Sequence, residues 1–83
     1  SKDVDAVAIA APPKLQPEIA IAALQLGKPV FVEKPMAADL AGAAAMLRAA
    51  DKPPAMIDYN FTEISAWRKA KAMLDAGAVG RLR

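Results

Sequence analysis

Gly27-Lys28-Pro29-Val30-Phe31-Val32-Glu33-Lys34-Pro35 is the stretch on which the reading of this 83-residue chain turns. Gly27 is the residue type that closes a helix in the left-handed conformation. Pro29–Val32 is a short apolar run rich in β-branched and aromatic residues, as strands are. Two opposite charges and a proline then stop it abruptly. Helix end, buried strand and charged strand end within nine residues are the grammar of alternating α/β structure.

Outward from this stretch the alternation continues. On the N-terminal side, Val4–Ala10 is nearly all apolar and stops before Pro12-Pro13. A run without polar alternation suits a strand buried on both faces. Pro17 and Glu18 suit a first helical turn. Ile19, Ala22, Ala23 and Leu26 follow at helical spacing, so a helix is expected over 17–26. On the C-terminal side, Asp39 is an N-cap residue. Leu40, Ala43, Ala44 and Leu47 then repeat the helical period, and Lys52-Pro53-Pro54 ends it. Ala55–Tyr59 reads as a third strand. A third helix is expected over 63–76, with Ile64, Trp67, Ala70 and Leu74 on one side and Gly77 behind it. Trp67 is expected to pack that helix on the sheet, and the methionines to fill core. Residues 78–83 read as the start of a further strand. The fold class is α/β, a Rossmann-like half domain of order β-α-β-α-β-α. Crossovers of this length imply a parallel sheet with right-handed connections.

Composition narrows the function. The chain has no Cys and no His, which excludes a disulfide scaffold, a zinc finger and a Ser-His-Asp triad within it. Net charge is +2 with 11 dispersed Lys and Arg, so nucleic acid is not an expected partner. No run approaches the ~20 apolar residues of a membrane span. Hydrophobic residues make up 55% of the chain, but 21 of them are Ala, a thin supply for an independent core. A piece of a longer protein is the expectation.

Ligands of open parallel sheets bind outside the carboxyl ends of the strands. Three segments fall there: 11–16, 33–35 and 59–60. Glu33-Lys34-Pro35 is the strongest candidate. It reads either as a solvated turn with a surface ion pair or as a reactive strand end. In the second case Lys34 serves in proton transfer if burial tunes it, or anchors a ribose hydroxyl or substrate oxygen. Its X-Pro bond is one that can be cis. Pro12-Pro13 either merely ends the strand or forms a rigid wall for a flat ring. Gln16 either hydrogen-bonds a ligand or caps the next helix, and Asn60 either contacts a ligand or makes a turn. The four glycines form neither G-x-G-x-x-G nor a phosphate loop.

Together these residues resemble the Gfo/Idh/MocA family of NAD(P)-dependent oxidoreductases. Asp3 through Ala10, Pro12-Pro13, Pro17-Glu18-Ile19-Ala20 and Ala22-Ala23-Leu24 carry the resemblance. Gly27-Lys28-Pro29-Val30 with Glu33-Lys34-Pro35 is its most specific part. Tyr59-Asn60 and Asp75 through Gly80 follow in order. The resemblance implies that residues 1–77 are the C-terminal half of a Rossmann-type NAD(P)-binding domain. Residues 78–83 would begin a substrate-binding α/β domain. It further implies that Lys34 is catalytic, beside nicotinamide and substrate. Ala11, Pro12, Pro13, Gln16, Glu33, Lys34 and Asn60 would be cofactor-binding, the cofactor NAD or NADP, and no metal bound.

The parent so implied moves a hydride between NAD(P) and a hydroxyl carbon of a sugar or polyol, and is cytoplasmic and homo-oligomeric. Ala11 and Gln16 depart from the Thr and His common in that loop, and Thr62 from a common Arg. A non-catalytic, dinucleotide-sensing relative is the alternative those departures suggest.

Overall fold

The computed structural model describes residues 2–81. Its elements alternate as expected: β1 (Val7–Ile9), α1 (Gln16–Gln25), β2 (Val30–Glu33), α2 (Leu40–Ala49) and β3 (Ala55–Asp58). A 3₁₀ turn at Asn60–Glu63 and α3 (Ser65–Asp75) complete it. The three strands form one parallel sheet in the order β1-β2-β3. Because strand order follows chain order and such crossovers share one hand, both connecting helices lie on the same face.

That one-sided cover corrects the expectation of strands buried on both faces. Ile9, Val30 and Val32 point under the helices and are almost fully buried. Their neighbours Ala8, Phe31 and Met56 stand in register across the sheet on the other face and are exposed. The strand expected over Val4–Ala10 is also shorter, with only Ile9 of β1 buried.

The helices exist where the period puts them, but not on the faces it suggested. In α1 the buried stripe is Gln16, Ala20, Ala23 and Leu24, while Ile19 and Leu26 are exposed. In α2, Met46 is buried, and Leu40 and Leu47 are 86% and 75% exposed. Alanine explains both differences. A helix dense in Ala has apolar residues on more than one stripe, so spacing alone cannot choose the stripe that packs. The ends behave as the residues dictate. Asp39 caps α2 by accepting the Gly42 N–H at 2.7 Å. Gly27 (φ 73°) follows α1 in a Schellman closure, with Gly27 N–H to Leu24 O at 2.9 Å and Lys28 N–H to Ala23 O at 3.0 Å.

The third helix forms where expected, but its packing differs. The helix expected over 63–76 is α3, Ser65–Asp75; the 3₁₀ turn precedes it, with Ile64 extended between the two. Trp67 does not pack α3 on the sheet: it is 59% exposed, and α3 contacts the preceding 3₁₀ turn rather than a strand. Of the methionines expected in the core, only Met46 is buried; Met36 packs at its margin, and Met56 and Met73 are exposed. Residues 78–81 contain no strand; the last two residues of the expected strand lie outside the described residues. No helix among the described residues is long and apolar enough to cross a membrane.

Candidate functional site

Parallel strands deliver their carboxyl ends to one edge, and the three segments singled out from the sequence do meet there. β2 ends at Glu33, which pairs in register with Asp58 at the end of β3. Beyond them, Lys34 and Tyr59, Asn60, Phe61 and Thr62 line a cavity of about 210 Å³. Lys34 is exposed. The burial on which its proton-transfer reading depended is therefore not present in this chain. The surface ion pair of the alternative reading is not there either. Glu33 Oε2 instead accepts the backbone N–H of Lys34 at 2.9 Å. The ion pair found among the described residues is remote, Lys71 to Asp75 on α3. The Lys34-Pro35 bond is cis.

The loop after β1 joins this edge through one side chain. Pro12 O accepts the Leu15 N–H at 2.8 Å, closing a turn that leads into α1. Gln16 begins the helix but does not cap it. Its amide is buried, 1% exposed, and reaches the β2 loop. Nε2 donates to Glu33 O and to Pro35 O, each at 2.8 Å, while Oε1 lies 3.5 Å from the Ala11 N–H. Ala11 is half-buried against the core, Pro13 half-buried, and Pro12 exposed at the edge. Asn60 opens the 3₁₀ turn with its side chain exposed. Its backbone turn and its place on the cavity wall coexist.

Sequence reasoning missed Asp58, because only strand register sets it beside Glu33. It also missed Phe61 and Thr62 as lining residues. The irregular spacing after Tyr59 was the available signal for that turn. Thr62 Oγ1 donates to Tyr59 O at 3.0 Å, which holds the cavity wall in a compact bend. The edge can therefore offer a flat, largely apolar recess with one ammonium and one amide at its rim. Such a surface suits a ring bearing polar substituents. The glycine turn that grips a pyrophosphate is not in this chain.

An open parallel sheet with connecting helices and functional loops at its carboxyl edge defines a Rossmann-type nucleotide-binding class. The chain belongs to the oxidoreductase family with the NAD-binding Rossmann fold, whose pattern matches residues 1–61. The resemblance read from the Glu33-Lys34-Pro35 region is thus upheld. Among curated proteins it is similar to levoglucosan dehydrogenase of Pseudarthrobacter phenanthrenivorans, 39% identical over 96% of this chain and 21% of that one. It is also similar to the dTDP-3,4-didehydro-2,6-dideoxy-alpha-D-glucose 3-reductase of Streptomyces violaceoruber, 37% identical over 99% of this chain and 25% of that one. Among solved structures, a 3-ketoreductase from Actinomadura kijaniata, in complex with TDP-benzene and NADP, superposes with a TM-score of 0.88. It is 33% identical and covers 100% of this chain and 27% of its own. The chain thus spans about a quarter of the length of these relatives.

Proposed function

We propose that, within its full-length protein, this segment forms the nicotinamide-side wall of an oxidoreductase that moves a hydride between NAD(P) and a hydroxyl carbon of a sugar or cyclitol. The observation that carries the reading is the convergence of Lys34 with Tyr59–Thr62 around one recess at the carboxyl edge of the sheet. The names of the relatives support it, since a sugar dehydrogenase and two sugar-nucleotide or ketoreductase enzymes are among them.

The residues fit one end of the cofactor, a flat ring and its ribose, and not the diphosphate. NAD(P), when bound, supplies the hydride acceptor or donor. The chain's own residues orient and polarise. The Lys34 ammonium hydrogen-bonds the reacting oxygen, holding the hydroxyl in line and stabilising negative charge that develops there. Glu33 fixes the Lys34 peptide through its N–H. Ala11, Pro12 and Pro13 form a stiff wall beside the ring, and Asn60 offers donor and acceptor to a ribose hydroxyl. Gln16 takes part from within, through the loops it joins.

Lys34→Ala in the full-length protein tests this. Turnover should fall by about 100-fold, the scale of one lost charge-stabilising donor. Cofactor affinity, measured by fluorescence titration, should change by only a few-fold. Unchanged turnover would remove Lys34 from the reaction. A protein that binds dinucleotide yet turns over no sugar or polyol, even with Lys34 intact, would favour a sensing role.

A further inference from the structure

Gln16 is the one buried polar side chain among the described residues. No step of the proposed reaction places it against a ligand. Its amide nitrogen has two hydrogens, and both have acceptors: the carbonyls of Glu33 and Pro35, each at 2.8 Å. Those carbonyls lie on either side of Lys34. The carbonyl end of the same amide faces the Ala11 N–H at 3.5 Å. One side chain therefore ties the loop after β1 to the carbonyl of the residue before Lys34 and to that of the residue after it. The Lys34 N–H is held in turn by Glu33 Oε2. The result is an exposed lysine on a backbone anchored from beneath.

The chemistry of the site is selective. Two converging carbonyls need two N–H donors on one planar head, and the Ala11 N–H needs an acceptor on the same head. A carboxylate of the same shape would set oxygen against oxygen. An apolar side chain of the same length would fill the space and leave both part-buried carbonyls without this donor. A neutral amide satisfies all three and adds no charge to the interior.

We propose that Gln16 is a positioning residue: its amide sets the height and direction of the Lys34 side chain relative to the Ala11–Pro13 wall. The proposal rests on the role given to Lys34 above. A misplacement of about 1 Å at a reacting group lowers turnover by about 100-fold.

The test uses the full-length protein and two substitutions. Gln16→Met keeps length and apolar volume without donors; Gln16→Glu keeps shape and replaces the NH₂ with oxygen, and carries the same test should the first not fold. Each is made alone and combined with Lys34→Ala. The expected result is a turnover loss of about 10- to 100-fold in the Lys34 background, with cofactor affinity nearly unchanged. The same substitution should leave the turnover of Lys34→Ala unaltered. Hydrogen exchange followed by mass spectrometry should quicken across 33–37 while α2 keeps its protection.

Losses that multiply in both backgrounds would mean a general structural role and overturn the proposal. Unchanged turnover or unchanged exchange at 33–37 would do the same. If Lys34→Ala itself leaves turnover intact, the role of Lys34 falls and the positioning role with it. That result is distinct from multiplying losses, which remove the positioning role alone.

Discussion

Residues 1–83 produced alone should not persist as a folded monomer. The chain by itself leaves more surface open than a compact fold of its mass does. A compact monomer of this mass exposes about 4,700 Å², whereas this chain exposes 6574 Å². The excess of roughly 1,800 Å² exceeds the ~800 Å² that each partner buries in a standard protein–protein interface. The shape agrees: the radius of gyration is 16.6 Å, against about 12 Å for a compact domain of 83 residues.

The excess is sticky surface. Phe31 and Met56 share the open face of the sheet, and Trp67 stands out from α3. β1 is an edge strand with no partner beyond it among the described residues. Such an edge templates pairing with another chain. Sedimentation velocity over a wide concentration range, with denaturant melts at each concentration, measures the outcome. Self-association or loss of cooperative unfolding is expected. A concentration-independent monomer with a sharp two-state melt is the opposite outcome, and would mean that the open face and edge cost nothing.

Two further outcomes concern α2 in the full-length protein. Asp39→Ala should lower stability by about 1 kcal/mol, the usual worth of an N-cap, because it removes the acceptor 2.7 Å from the Gly42 N–H; Asp39→Asn should restore most of it in the same thermal melt. Gly42→Ala should fail to yield the ~1 kcal/mol that Ala normally gains over Gly in a helix, because its Cβ would sit 3.1 Å from Pro17 Cγ and 3.2 Å from Asp39 Oδ1. A ring and an engaged cap have little room to give, so a raised melting temperature would show that the two helix starts are less tightly apposed.

How much of this was legible in advance depends on the range of the interaction. The Asp39 cap and the Gly27 closure are set within a few residues of chain, and each stands as the sequence implied; α2 ends at Ala49, a little ahead of the Lys52-Pro53-Pro54 expected to stop it. The parallel order also followed, because short apolar runs joined by helices leave few other topologies. Packing faces did not follow. Ile19 and Leu40 looked like core and are exposed, while Gln16 looked like a ligand contact or a cap and is buried. In an Ala-rich helix several stripes are apolar enough to bury, and the contacts of the whole assembly choose among them. The Gln16 amide, bonded to carbonyls seventeen and nineteen residues away, belongs to the rotation of α1 that buries Ala20 and Leu24.

The candidate site divides along the same line. Its principal charged residue, Lys34, was visible because a charge pair and a proline cannot continue a buried strand. What surrounds Lys34 was not. Tyr59–Thr62 reach its side only because β3 pairs with β2 in a fixed register. Gln16 reaches it only because α1 returns across the sheet. By itself the sequence determined the order of elements, their local ends and the residue class at each strand terminus, since those depend on propensity and period. Tertiary structure alone decided which faces were buried, which loops met and which polar atoms found partners. Those depend on non-local contacts that no short window of sequence contains.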